Sequence, residues 1–236
     1  YNTRNRMKTI LVTGGTGYIG SHTVVELQEA GYQVVIVDNL SNSYADVIDS
    51  IEKISGIRPA FEKVDLKDQQ ATLGVFEKYA GIEAIIHFAA MKAVGESVDL
   101  PLDYYQNNLS SLIHLLNGMR KHNVKNIVFS SSCTVYGEPD KLPVTEKAPI
   151  KKANSPYGNT KQICEEIMQD FRNPHPEMNI ISLRYFNPIG AHPSAQIGEL
   201  PIGVPQNLVP FITQTAIGLR DELKVFGDDY STPDGS

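Results

Sequence analysis

The chain of 236 residues is 41% apolar and 20% charged, an ordinary globular composition with material for one large domain or one and a half. Its formal charge of −6 gives no electrostatic footprint for nucleic acid, which is not expected as a partner. No apolar run approaches the roughly 18 residues of a membrane span, so no membrane is expected, and no signal peptide is expected before the first strand.

Residues 1–6, ahead of Met7, read as a short extension outside the fold. The first element is a β-rich run from Lys8 that halts at Thr13-Gly14-Gly15-Thr16-Gly17-Tyr18-Ile19-Gly20. Gly15, Gly17 and Gly20 fit the G-x-G-x-x-G dinucleotide fingerprint, with Gly14 as an extra. Gly15 is expected to turn the chain out of the strand, Gly17 to leave bare backbone for a pyrophosphate, and Gly20 to let helix and strand pack closely. The helix behind them offers amide N–H groups and a partial positive charge to phosphates. The competing reading is a plain structural turn. The strand before, the helix after and an acid downstream favour the fingerprint.

Ser21 to Ala30 reads as a helix, with Val24, Leu27 and Gln28 on its buried stripe and Gly31 as its stop. Gln33 to Asp38 is a β-branched run too apolar for a one-sided sheet, as in parallel sheets covered on both faces. Asp38 ends it 18 positions after Gly20. A carboxylate there accepts from ribose hydroxyls and repels a 2′-phosphate, favouring NAD over NADP, unless it is merely a solvated strand-end acid. A third strand, Ala60 to Val64, ends at Asp65-Leu66, and a helix follows from Lys67 to Tyr79. The fourth strand, Ala84 to Phe88, runs into Ala89-Ala90-Met91-Lys92, small residues suited to a cofactor lying across a sheet edge. His87, inside that strand, reads as a packed structural histidine.

Pro101 to His122 is a long helix with Leu109, Leu112, Ile113, Leu115 and Leu116 on its apolar side. Asn107 and Asn108 are odd there: surface residues, or one of them a cofactor contact. The fifth strand, Asn126 to Ser130, leads into Ser131-Ser132-Cys133-Thr134-Val135-Tyr136-Gly137, and a proline- and lysine-rich loop runs from Glu138 to Ala153. Ser155-Pro156 opens a helix with a serine cap and proline in the first turn, and with Ile163, Ile167 and Phe171 as its face. Asn179 to Arg184 is a sixth strand ending in Tyr185-Phe186-Asn187. Pro188 to Pro210 is too long for an ordinary connection and suits a substrate lid or the start of a second lobe. A helix from Leu208 to Leu219 and a strand from Leu223 to Phe226 follow. The pattern is α/β, a doubly wound parallel sheet of Rossmann type over 7–187, with a partial, smaller substrate-binding lobe over 188–236. Cys133 and Cys164 lack metal-like spacing, so no metal is expected, and the expected location is the reducing cytoplasm.

Tyr157 and Lys161 are four apart and share a helix face. A free tyrosine, with a pKa of about 10, is a poor base, and lowering it by roughly 3 units takes about 4 kcal/mol of phenolate stabilisation. A lysine ammonium in a dry site, together with a positive nicotinamide ring, would supply that. Lys161 would also bond the nicotinamide ribose, and Ser132 would hold a substrate hydroxyl and relay its proton. Tyr-x-x-x-Lys alone occurs by chance in many helices; the serine-rich strand end and the dinucleotide fingerprint raise its weight.

These glycine, serine and Tyr-x-x-x-Lys segments resemble the extended short-chain dehydrogenase/reductase superfamily. The longer runs His87-Phe88-Ala89-Ala90-Met91-Lys92-Ala93-Val94-Gly95-Glu96-Ser97 and Arg184-Tyr185-Phe186-Asn187-Pro188-Ile189-Gly190-Ala191-His192 are similar to its UDP-glucose 4-epimerase family. So are Asn207-Leu208 with Pro210, and Phe226-Gly227-Asp228-Asp229-Tyr230. The resemblance implies a retained NAD, Tyr157 as the base at the sugar 4-hydroxyl, a transient 4-keto sugar, and interconversion of UDP-glucose and UDP-galactose. It also implies NAD contacts from Gly14, Gly17, Tyr18, Ile19, Gly20, Asp38, Asn39, Leu40, Ser41, Asn42, Ser43, Asp65, Leu66, Phe88, Ala89, Ala90, Met91, Lys92, Asn107, Ser132, Tyr157, Lys161 and Phe186. Ser132, Tyr157, Asn187, Asn207, Leu208, Lys224, Val225 and Phe226 would meet the UDP-sugar; for Leu208, Val225 and Phe226 core packing is an equal reading.

The family continues beyond the Asp234-Gly235-Ser236 position with an arginine for the diphosphate and residues that gate sugar size, so a partial substrate lobe is expected. Cys133 stands where relatives carry a small apolar residue. The family also implies a homodimer through Pro101–His122 and Ser155–Phe171. A 4,6-dehydratase would need an added acid/base pair where this chain has Cys133-Thr134. A UDP-N-acetylhexosamine epimerase, a plain NAD-dependent dehydrogenase and a non-catalytic NAD-binding regulator also compete; regulators typically lose the tyrosine or lysine present here.

Overall fold

The computed structural model describes residues 7–224, 227–229 and Gly235. The elements are β1 (Thr9–Thr13), α1 (Tyr18–Glu29), β2 (Gln33–Asp38), α2 (Val47–Ser55), β3 (Ala60–Lys63), α3 (Gln69–Lys78), β4 (Ile82–His87), α4 (Val94–Asp99) and α5 (Pro101–His122). They continue with β5 (Asn126–Ser132), a 3-10 turn (Cys133–Tyr136), α6 (Pro156–Arg172), β6 (Asn179–Tyr185) and α7 (Leu208–Ala216). The strands form one sheet in the order β3-β2-β1-β4-β5-β6, and every pairing is parallel. The order reverses between β1 and β4, so the chain leaves those neighbours in opposite directions and opens a crevice at their carboxyl ends.

Strand alternation builds two cores. Leu11, Val35, Val37, Ile85, Ile127 and Phe129 face one way and pack on Phe76 of α3, Leu112, Leu115 and Met119 of α5, and Cys164 and Met168 of α6. Ile10, Val12, Val34 and Ile36 face the other way and meet Val24 and Val25 of α1 and Ile51 of α2. β2 is buried on both sides, as its β-branched run requires. Chain contacts divide between Gly198 and Glu199 into two compact units. The sheet belongs to the first and α7 to the second.

Several expectations are corrected. α1 starts at Tyr18, inside the glycine segment, because Gly17 takes the extended N-cap conformation. Its C-terminus closes as anticipated: Gly31 donates to Gln28 O and Tyr32 to Leu27 O, with Gly31 at φ +86°. α3 starts at Gln69 because the Asp68 carboxylate accepts from Ala71 N. β5 runs on to Ser132, so Ser131 and Ser132 are strand residues. α6 buries Thr160, Lys161, Cys164 and Met168, while Ile163, Ile167 and Phe171 flank that stripe half-buried. α7 stops at Ala216, and Leu223 and Lys224 are not in a strand; Val225 and Phe226 lie outside the described residues. α2, α4 and the 3-10 turn were not anticipated.

Candidate active site

The β1–α1 turn is shaped by atoms that cannot be added. Gly14, at φ +70°, makes the left-handed turn, and a Cβ on it would sit 2.7 Å from Ala89 N. The turn therefore falls on the extra glycine and not on Gly15, whose Cβ would strike Ile36 at 2.8 Å. A Cβ on Gly20 would lie 2.1 Å from Gly14 O, so helix and strand touch backbone to backbone. Gly17 is looser, with only Gly14 O at 3.2 Å, and as N-cap it has no side chain to cover the first-turn amides. Asp38 closes β2 beside this turn: Oδ2 accepts from Thr16 N (3.3 Å), and Oδ1 from Leu40 N (2.9 Å) and Ser43 Oγ (3.3 Å). Ser43 and Thr16 share a 2.7 Å hydroxyl bond. A carboxylate offers about four acceptor sites, so capacity remains for a ribose hydroxyl. Leu40 is left-handed at φ +61°, and Ser41 N donates to Asn39 Oδ1. Bare backbone, a fixed carboxylate and a switch-point crevice fit a dinucleotide.

The chain leaving β4 forms the opposite wall. Asn108, buried on α5, uses its whole amide: Oδ1 accepts from Met91 N (2.9 Å) and Asn107 Nδ2 (3.0 Å). Its Nδ2 donates to Met91 O (3.1 Å) and to Thr160 Oγ1 of α6 (3.0 Å). Tyr104 OH accepts from Ala93 N and donates to Glu96; burial, then the Glu96 carboxylate, pushes its phenol well above the usual range. Phe88, Ala89, Ala90, Met91 and Asn107 thus gather near the glycine turn and α6, with Lys92 exposed beside them. Asp65 Oδ1 accepts from Lys67 N, and Leu66 lies in the core with its carbonyl taken by His114 and Thr72. Phe186 and Asn187 are exposed just past β6. Tyr18 OH at the start of α1 donates to Gly190 O (2.7 Å) farther along that segment.

At the end of β5, Ser132, Tyr157 and Lys161 come together. Ser132 lies near enough to Tyr157 to pull its phenol down, accepts from Thr134 N at 3.2 Å and is 7% exposed. Lys161 is 3% exposed; its Nζ donates to Ser130 O (2.8 Å) and stands 4.9 Å from the Phe129 ring centre and 5.7 Å from that of Tyr157. Burial lowers its pKa from 10.5 to about 8. Tyr157 differs from the expectation. Its phenol is raised above 10 by burial first, with the Ser132 hydroxyl pulling back and Cys133 adding to the rise. The Lys161 ammonium is turned to a carbonyl, so in the protein alone desolvation wins. His87 is buried and neutral, pushed down to about 3 by burial and then by the Lys161 charge. Its Nδ1 bonds Thr13 Oγ1 (2.7 Å), joining β1 to β4.

Asn207, Leu208 and Lys224 belong to the second unit. Asn207 caps α7 by its backbone and hydrogen-bonds Glu199, Leu208 is exposed on α7, and Lys224 pairs with Glu222 at 3.5 Å.

Residues 10–230 match the NAD dependent epimerase/dehydratase family. The chain belongs to that family. It is 56% identical over 227 residues to the UDP-glucose 4-epimerase of Dictyostelium discoideum, covering 96% of this chain and 65% of that relative. It is also similar to the solved UDP-glucose 4-epimerase of Bifidobacterium longum in complex with NAD+ and UDP (TM-score 0.94, 47% identity, 97% of this chain and 68% of that one). A third similar protein is the enzyme of Stenotrophomonas maltophila with bound NAD and formylated UDP-arabinopyranose (TM-score 0.92, 50% identity, 97% and 68%). The chain thus spans about two thirds of the length of the curated relatives it matches. Within this epimerase/dehydratase fold, sequence reasoning missed the Asn108 clamp, Tyr104, and the role of Gly14. The oddity of two adjacent asparagines on an apolar helix was the only signal for Asn108.

Proposed function

We propose that this chain is the larger part of an NAD-dependent UDP-glucose 4-epimerase that interconverts UDP-glucose and UDP-galactose through a transient 4-keto sugar. The observation that carries this is the Ser132–Tyr157–Lys161 cluster, its serine and lysine buried, at the same carboxyl edge of the sheet as a dinucleotide turn whose Gly14, Gly15 and Gly20 leave no room for a Cβ. The 56% identity with a UDP-glucose 4-epimerase along 96% of the chain supports it.

In this reading residues 7–187 hold the NAD and 188–236 begin the substrate lobe. NAD supplies a reversible hydride acceptor for the sugar C4. The glycine turn and the α1 N-terminus would hold its phosphates, Asp38 its adenosine ribose, and Phe88 to Lys92 the far wall. Tyr157 takes the 4-hydroxyl proton, and Ser132 holds the hydroxyl and passes the proton on. Lys161 would turn from Ser130 O toward the nicotinamide ribose and the phenolate, supplying the positive charge that burial alone opposes. Asn187, Asn207, Leu208 and the Lys224–Phe226 stretch would meet the UDP-sugar. Cys133-Thr134 offers no carboxylic acid at the position a 4,6-dehydratase uses, which favours epimerisation. Location in the cytoplasm agrees with two free cysteines. Homodimerisation would use α5 and α6, where Leu102 and Ile113, nearly in line along α5, are exposed.

The test is interconversion of UDP-galactose and UDP-glucose by the full chain without added NAD. Turnover with cofactor that co-purifies is the expected result. A requirement for added NAD in every turnover would point to a dehydrogenase instead.

A further inference from the structure

Glu165 lies one helical turn past Lys161, on the same side of α6, yet no step above uses it. Its Oε1 accepts from Ser131 Oγ at 2.5 Å. Arg184, at the end of β6, clasps both oxygens, Nε to Oε1 at 3.1 Å and Nη2 to Oε2 at 2.7 Å. The third arm of the guanidinium, Nη1, donates to Tyr136 OH at 3.1 Å, and the group stands 4.9 Å from the Tyr136 ring centre. The pair is largely covered, with side-chain exposures of 22% for Arg184 and 13% for Glu165. Its bonds are charge-assisted and bidentate, hence directional.

Ser132 sits between the two anchored points. Ser131 precedes it on β5, and Tyr136 closes the 3-10 turn that follows it. Successive strand side chains leave on opposite faces, so fixing Ser131 against α6 sets the direction in which Ser132 departs. We propose that Glu165, braced by Arg184, is a positioning residue for the proton relay: it holds the β5 end so that Ser132 presents its hydroxyl to Tyr157. This rests on the epimerase reading above. Losing that alignment weakens the Ser132 interaction that lowers the Tyr157 phenol, leaving burial to raise it among its titratable neighbours Lys161 on α6, Cys133 on the 3-10 turn and Tyr104 on α5.

The experiment compares Ser131→Ala, Glu165→Gln and the double variant in the full chain, reading kcat, KM, bound NAD and melting temperature across pH. Each single change is expected to lower kcat on the order of tenfold with KM and bound NAD held. The rising limb of kcat should move to higher pH, since a higher phenol pKa leaves less base at neutrality. The double variant should be little worse than the worse single one, because both break the same link. A lower melting temperature with kcat and the pH limb unmoved would overturn the proposal, as would loss of bound NAD together with kcat. If Glu165→Gln does not fold, Ser131→Ala, which leaves the ion pair intact, decides alone. A parent chain that does not turn over UDP-sugars would instead remove the epimerase reading.

Discussion

At the end of β1 the molecule is defined by volume it must leave empty; at the end of β5 it is defined by charge it must keep dry. In the first region Gly14, Gly15 and Gly20 meet Ala89, Ile36 and Gly14 O so closely that a methyl group has no room. In the second, Lys161 sits 3% exposed with one carbonyl partner and its pKa drawn down to about 8. Geometry of the first kind fails by overpacking and takes stability with it. Chemistry of the second kind is a standing cost to stability, and removing it leaves a firmer but inert protein.

Substitutions in the two regions sharpen or break that contrast. Tyr157→Phe should cut turnover of UDP-galactose by about a thousandfold while bound NAD and the melting temperature stay near those of the parent; unchanged turnover would end the assignment of the base. Gly20→Ala should cost about 3 kcal/mol by denaturant titration and release the cofactor. Gly17→Ala, with 3.2 Å to its nearest neighbour, should cost far less stability, and equal costs would erase the distinction drawn for the turn.

Lys161→Met should abolish turnover and yet raise stability at pH 7. The fall from 10.5 to about 8 corresponds to about 3 kcal/mol. The folded value lies below the unfolded one, so the unfolded chain binds the proton more tightly. The penalty is therefore full below about pH 8 and fades as pH rises to 10.5. Tyr157 shifts the opposite way above pH 10, so the useful readout is the difference between parent and variant; a gap independent of pH would contradict the burial of that charge. Asn108→Ala should cost about 2 kcal/mol for the buried groups left unpaired. Its bonds tie the chain leaving β4 at Met91 to Thr160 of α6, so a double variant with Thr160→Val should be less than additive; strict additivity would show that the two residues are not coupled.

The fold was legible where one residue type dominates a whole element. The β-branched run of β2 and the long helix α5 have the expected bounds, although Ile113, expected on the apolar stripe of α5, is exposed. α2 was not legible, although Val47, Ile48, Ile51 and Ile54 carry helical spacing. It is nine residues long and follows a run of serine and asparagine, so its helix depends on packing against α1. In the site, the glycine spacing and Tyr-x-x-x-Lys were visible because turn and helix geometry are local. Asn108, Glu165 and Arg184 were not, since each acts through partners far away in sequence. The electrostatics of Tyr157 was misjudged for the same reason: spacing places Lys161 on its face, but only the fold shows the ammonium turned to Ser130.

The burial of Lys161 also makes it a reporter. A lysine amine is acylated only when unprotonated and reached by reagent, and an opening that exposes Lys161 also returns it toward its ordinary 10.5, so it labels as an exposed lysine does, scaled by the fraction of time it is open. Burial shields Lys161 from reagent until the segment around it opens. Its acylation rate, followed by peptide mass spectrometry, would then measure how often the β5–α6 seam breathes, and any ligand that closes the seam would slow that labelling before turnover is ever assayed.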